Sequence, residues 1–162
     1  MTIAVCPGSY DPITLGHVDV VRRARSMFDE VVVGIASNSS KSALLGVDVR
    51  VALARAAVDG IDGVRVEPVT ALLADFLREV RANAVVKGLR GGADFDAELP
   101  MALMNRHLSG VETVFVVGDP ALAHIASSLV KDVARYGGDI EDLVPAGVGD
   151  AVRDALGRRD GT

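Results

Sequence analysis

At 162 residues and a formal charge of −5, the chain is long enough to bury a sizeable core without disulfides or structural metals, and its charge argues against a general nucleic-acid binder. Cys6 is the only cysteine, which excludes an intrachain disulfide framework and a thiolate zinc site and fits a reducing compartment. The first apolar run has no basic leader and stops at Pro7, and no stretch approaches the roughly 20 apolar residues of a membrane span. A cytoplasmic protein, binding neither nucleic acid nor membrane, is therefore expected.

In chain order, residues 2–6, 30–36, 63–67, 84–87 and 111–117 are short runs, mostly Val/Ile-rich, that read as buried strands. Between them, 16–28, 47–58, 70–81 and 94–108 carry helical spacing, the first with Val21, Ala24 and Phe28 on one face. Strands alternating with helices predict an α/β fold: a Rossmann-like, doubly wound, five-stranded parallel sheet with right-handed crossovers. C-terminal helices follow: 127–136, stopped by Gly137-Gly138, then short pieces at 140–144 and 149–156 separated by Pro145. No repeat or linker interrupts 1–162, so one domain is expected. The hydrophobic share of 49% is slightly rich for a lone small domain and hints at buried subunit surface.

In such sheets ligands bind beyond the carboxyl ends of the strands. After the first strand comes Pro7-Gly8-Ser9-Tyr10-Asp11-Pro12-Ile13-Thr14-Leu15-Gly16-His17. Gly8 lets backbone approach a ligand, Ser9 offers a hydroxyl, and Gly16-His17 opens a helix whose unpaired N–H groups attract phosphate. The loops after strands two and four, Asn38-Ser39-Ser40-Lys41 and Lys87-Gly88-Leu89-Arg90-Gly91-Gly92, place cations at the same edge, where they can stabilise charge moving onto a leaving pyrophosphate. The three lysines, Lys41, Lys87 and Lys131, all fall near strand ends or the last loop–helix junction. Ser127 and Ser128 open a helix and can cap it or hold a phosphate.

Neither a G-x-x-x-x-G-K-[ST] loop nor a G-x-G-x-x-G after strand one is present, which weakens kinase and dehydrogenase readings. His107 and His124 lack sequence-near partners at metal spacing.

Thr14-Leu15-Gly16-His17 resembles the [TH]-x-G-H signature of the nucleotidylyltransferase superfamily, and Ser127-Ser128-Leu129-Val130-Lys131 resembles its late serine-rich motif. With Lys-Gly-Leu-Arg at 87–90, Asp94-Phe95 and Met104-Asn105-Arg106-His107-Leu108, the pattern is similar to the bacterial phosphopantetheine adenylyltransferase family over nearly the whole chain. The resemblance implies adenylyl transfer from ATP to 4'-phosphopantetheine, with Mg2+ carried on the triphosphate, a homohexameric assembly and coenzyme A as a possible feedback inhibitor. By the same resemblance His17, Lys41, Arg90 and Ser128 are catalytic. ATP is surrounded by Ser9, Tyr10, His17, Gly88, Leu89, Arg90, Glu98, Leu122, Ala123, His124, Ile125, Ala126, Ser127 and Ser128. The acceptor is met by Ser9, Lys41, Leu73, Lys87 and Asn105.

Some positions depart from the family pattern. Lys87 stands where arginine is common, Ala97 where tyrosine is usual, Leu122 where an aromatic is usual, Ala126 where a third serine is usual, and Ser9 replaces threonine. The competing readings are a sister nucleotidyltransferase with another phosphorylated acceptor and a non-catalytic nucleotide-binding module. Lys-Gly-Leu-Arg and Met-Asn-Arg-His-Leu argue against the first, and His17 with Lys41 against the second.

Overall fold

The computed structural model describes residues 1–37 and 42–160. Five all-parallel strands, β1 (Ile3–Gly8), β2 (Glu30–Ala36), β3 (Val64–Val69), β4 (Ala84–Leu89) and β5 (Glu112–Val117), form one sheet in the order β3-β2-β1-β4-β5. The helices are α1 (Leu15–Met27), α2 (Val47–Val58), α3 (Leu73–Glu79), α4 (Gly92–Ser109), α5 (Ser127–Arg135) and α6 (Val148–Asp160). This is the Rossmann-like architecture that the alternating pattern predicts.

Alternation along each strand separates two cores. Ala4, Cys6, Val31, Val33, Ile35 and Val86 face one side, with the apolar stripes of α1, α2, α5 and α6. Val5, Val32 and Val85 face the other, with Phe76 and Leu77 of α3. Burial on both faces is why these strands read as continuous valine and isoleucine rather than as alternating polar and apolar residues.

Most element boundaries move by a few residues. β3 runs on through Pro68, tolerated because β3 is an edge strand and an absent N–H breaks no central ladder. α3 is shorter than 70–81, ending at Glu79 with Val80 as its C-cap, before Arg81 takes a left-handed conformation with φ 55°. α4 reaches Gly110, whose φ of 76° closes the helix. The expected helix at 140–144 is instead a turn. Val144 precedes Pro145, which disfavours helical backbone, and the Leu143 carbonyl accepts a hydrogen bond from Leu15 N–H at the start of α1. Ile140 and Val144 are buried as core anchors of that turn.

The chain winds from β1 outward to β3, then crosses back to β4 beside β1. At this reversal the β1–β4 ladder pairs only Ala4 with Ala84 and Val5 with Val85, whereas β1 pairs with β2 along its whole length. Beyond Val5 the two central strands splay apart and open a crevice at their carboxyl ends.

Candidate active site

A cavity of about 650 Å3 fills that crevice. Its wall includes Cys6–Tyr10 from the end of β1, Val86–Arg90 from the end of β4, the first turns of α1 and α5, and the 117–120 segment after β5. Gly88 is required for closure between sheet and helix, because a Cβ there would collide with Val20 Cγ2 on α1.

His17 is held by the cap of its own helix. The Thr14 hydroxyl accepts from His17 N–H at 3.3 Å, and His17 Nδ1 lies 3.0 Å from Thr14 N, closing a reciprocal capping box. A backbone N–H can only donate, so Nδ1 is the acceptor and the ring proton of the neutral imidazole resides on Nε2. Burial pulls the His17 pKa from 6.5 down to about 4, and the positive charges of Arg90 and Lys87 push the same way. The side chain is therefore a neutral hydrogen-bond donor at pH 7. Tyr10 packs on it with ring centroids 4.8 Å apart and anchors its own hydroxyl on the Cys6 carbonyl at 2.8 Å. Burial holds the Tyr10 phenol and the Cys6 thiol protonated, the latter pushed up to about 12.

Both described cations on the wall hold carboxylates. Lys87 Nζ lies 3.2 Å from Glu98 Oε2. Arg90 grips Asp94 with Nε and Nη2, each at 3.0 Å, and donates from Nη1 to the Ile125 carbonyl at 3.2 Å, joining the β4 loop to the entrance of α5.

The structure thus brings Ser9, Tyr10, His17, Lys87, Gly88, Leu89, Arg90, Glu98, Leu122, Ala123, Ile125, Ala126, Ser127 and Ser128 to one cavity wall, and Ala97 with them. Other expected residues are elsewhere. Leu73 lines a smaller cavity of about 130 Å3 with Pro7, Gly34, Ala36, Val69 and Ala71, and Pro7 belongs to both cavities. Asn105 is buried in α4 and His124 is exposed, and neither lines a cavity described here. Lys41, with the rest of Asn38-Ser39-Ser40-Lys41, lies outside the described residues.

Two polar side chains of α5 make ties between distant segments. Lys131 reaches Asp11 at 2.9 Å instead of the cavity, and the Ser127 hydroxyl donates to the Pro12 carbonyl at 2.8 Å rather than capping α5. The N-cap of α5 is Ala126, which has no side-chain oxygen, so its side chain satisfies none of the first-turn N–H groups. Asp19, Asp94, Gly118 and Asp119 also line the cavity without having been expected as site residues. Asp19 Oδ2 accepts from Asp119 N–H at 2.8 Å, a contact spanning 100 residues that no local pattern announces.

Among the described residues no group of three or more His, Cys, Asp and Glu could hold a metal ion, and no helix is long and apolar enough to cross a membrane.

Comparison with known proteins agrees with this geometry. The cytidylyltransferase-like family model matches residues 5–133. A Micrococcus luteus phosphopantetheine adenylyltransferase is 51% identical over 149 residues, covering 91% of this chain and 95% of that one. The Bifidobacterium longum protein of the same name is 49% identical over 158 residues, covering 96% and 95%. A Nocardioides protein of that name is 51% identical over 148 residues, covering 91% and 93%. A solved structure assigned as a nicotinate-nucleotide adenylyltransferase of Vibrio parahaemolyticus superposes with a TM-score of 0.65 at 19% identity, over 94% of this chain and 99% of that one, a likeness of fold. With half its residues shared across nine-tenths of its length and a cavity at the sheet's switch point, the chain belongs to the phosphopantetheine adenylyltransferases within the cytidylyltransferase-like family.

Proposed function

We propose that this chain transfers the adenylyl group of ATP to 4'-phosphopantetheine, yielding dephospho-coenzyme A and pyrophosphate, with residues 1–162 acting as one catalytic unit. The observation that carries the reading is the neutral His17 donor set beside Lys87 and Arg90 in a crevice where two helices also begin. The relatives' shared name supplies the acceptor.

An oxygen of the acceptor phosphate attacks the α-phosphorus, the bond from that phosphorus to the bridging oxygen breaks, and negative charge accumulates on the departing pyrophosphate. No covalent enzyme intermediate is needed, so positioning and charge stabilisation are the protein's contribution. In this reading His17 donates from Nε2 to the phosphate being transferred, and being neutral it gives up no proton to the leaving group. Arg90 and Ser128 stabilise the triphosphate, aided by the N–H groups of the first turn of α5, which Ala126 leaves uncapped. Lys41 and Lys87 meet the acceptor phosphate, Ser9 lies between the two substrates, and the cavity containing Leu73 takes the pantetheine arm. Gly88, Leu89, Leu122, Ala123 and Ile125 flank the nucleoside. Tyr10 acts by holding the His17 ring.

Mg2+ accompanies ATP as part of the substrate. Such an ion keeps waters and phosphate oxygens as most of its ligands, so its chemistry is charge neutralisation on the triphosphate rather than occupation of a protein cage. Coenzyme A, which contains both the pantetheine and adenylate portions of the product, is proposed as a feedback inhibitor at the same cavity. A cytoplasmic setting suits the lone buried thiol of Cys6.

A homohexamer completes the reading. α4 buries only Asn105 among its 18 residues, while Phe95, Leu99, Met101, Leu103, Met104 and Leu108 remain exposed around the helix, apolar surface suited to subunit contact. Light scattering is expected to return a mass of six chains, and a monomer would remove this part of the proposal. The activity itself is tested by product mass: 4'-phosphopantetheine with ATP yields dephospho-coenzyme A, whereas nicotinate mononucleotide as acceptor yields no dinucleotide.

A further inference from the structure

Asp19 lies on α1 two residues beyond His17 and lines the cavity, its side chain 20% exposed. Its Oδ2 accepts from Arg23 Nε at 2.9 Å and from Asp119 N–H at 2.8 Å. The first contact is an ordinary i,i+4 pair with an exposed arginine, which by itself contributes little. The second joins α1 to the far side of the crevice. β5 is an edge strand whose ladder with β4 ends at the Leu89–Val117 pair, after which Gly118 N–H makes a last contact to Leu89 O. Asp119 N–H falls beyond that ladder, and the Asp19 carboxylate supplies its acceptor.

Asp119 in turn opens the short turn at Pro120–Leu122. Its Oδ1 accepts from Ala121 N–H at 2.9 Å and its carbonyl from Leu122 N–H at 2.9 Å. The Leu122 carbonyl accepts from Ile125 N–H at 3.0 Å, and the Ile125 carbonyl accepts from Arg90 Nη1 at 3.2 Å. A series of hydrogen bonds thus runs from α1 along the cavity wall after β5 to the loop after β4. Burial pushes the Asp19 carboxyl up, but Arg23 and the Asp119 N–H hold it below the usual carboxylate range, so it is an ionised acceptor at pH 7. Because the series starts on the helix that carries His17, it sets the spacing between that donor and the wall formed by Leu122, Ala123 and Ile125.

We propose that Asp19 is a positioning residue for nucleotide binding, holding the wall after β5 against α1 so that a nucleoside seated on that wall places its phosphates at His17. It acts through the Asp119 backbone and not on a reacting atom. The inference rests on the reading of Leu122, Ala123 and Ile125 as flanking the nucleoside of ATP.

The test compares ATP with inorganic tripolyphosphate, which carries the phosphates without the nucleoside, as ligands of the full chain in calorimetric titrations with Mg2+. Circular dichroism verifies the fold of each variant. Asp19→Ala is expected to raise Kd and KM for ATP by about tenfold or more, while kcat, KM for 4'-phosphopantetheine and Kd for tripolyphosphate stay within about threefold. Asp19→Asn keeps an acceptor oxygen for Asp119 N–H, and Arg23→Ala removes only the surface pair, so both stay within about threefold of wild type for ATP. A residue that only maintains stability would lower Tm and leave Kd for ATP unchanged in the folded fraction. If Asp19→Ala does not fold, Asp19→Ser, whose oxygen is one bond too short for the contact, takes its place. Wild-type affinity for ATP in the folded variant, equal weakening of ATP and tripolyphosphate, or Asp19→Asn as impaired as Asp19→Ala would overturn the proposal alone. Wild-type protein that binds tripolyphosphate as tightly as ATP would overturn the reading of the nucleoside wall and the proposal together.

Discussion

His17→Ala is expected to lower kcat by about a hundredfold or more, because removing one preorganised donor to a developing negative charge costs roughly 3 to 4 kcal/mol of transition-state stabilisation. Thr14 can still cap α1 through its hydroxyl, so the fold is retained. A near-normal rate would take His17 out of the mechanism. Its neutrality adds a pH signature. Because the folded pKa of about 4 lies below the ordinary 6.5, the unfolded chain binds the proton more readily between these values. Stability from this group is therefore present above pH 6.5 and is lost as the pH falls toward 4, by about 3 kcal/mol at most. Denaturant titrations across that window should show wild type losing more stability than His17→Ala, and kcat should show no step near 6.5 arising from this ring.

Asp11→Ala is expected to destabilise the protein by about 3 kcal/mol, since it leaves Lys131 without its anion and two backbone N–H groups without their acceptor. At this chain length that lowers Tm by roughly 6 to 12 °C. Burial pushes the Asp11 carboxyl up, but the Leu44 and Leu45 N–H groups and the Lys131 ammonium together hold it below the usual carboxylate range. Its contribution is accordingly present above the unfolded carboxylate pKa and disappears as acid protonates the folded side chain. Asp11→Asn, which keeps one acceptor oxygen, should lose less. An unchanged Tm for Asp11→Ala, measured at pH 7, would show that the Asp11–Lys131 tie contributes little.

What the sequence makes legible follows physical range. Strand and helix identities came from local periodicity, and the crevice from the rule that parallel sheets bind ligands where the winding reverses. The capping role of Thr14 toward His17 spans three residues and lies within a recognisable motif. Ties between distant segments leave no such trace. Asp11 and Lys131 are 120 residues apart, Arg50 and Ser9 are 41 apart, and Ser127 and Pro12 are 115 apart. Each side chain looks locally like a loop acid, a helix-surface base or a capping hydroxyl. Ser127, read as a cap or a phosphate contact, lines the cavity and also ties α5 to Pro12, a contact that its local sequence does not announce. The segment at 140–144 misled for a related reason, since its apolar residues are anchors of a turn whose geometry follows from Pro145 and from a hydrogen bond to α1.

Departures from the family pattern along the cavity wall also acquire a physical reading. Ala97, Leu122 and Ala126 all line the cavity. The first two present small or aliphatic side chains to the cavity, and the third leaves the start of α5 without a side-chain cap.

Pyrophosphate release by the purified chain, measured with Mg2+ and either ATP or CTP in the presence and absence of 4'-phosphopantetheine, tests the central claim most directly. Release with ATP that depends on the acceptor, and none with CTP, is the predicted result. Folded protein that binds ATP yet releases no pyrophosphate when 4'-phosphopantetheine is supplied would contradict the account.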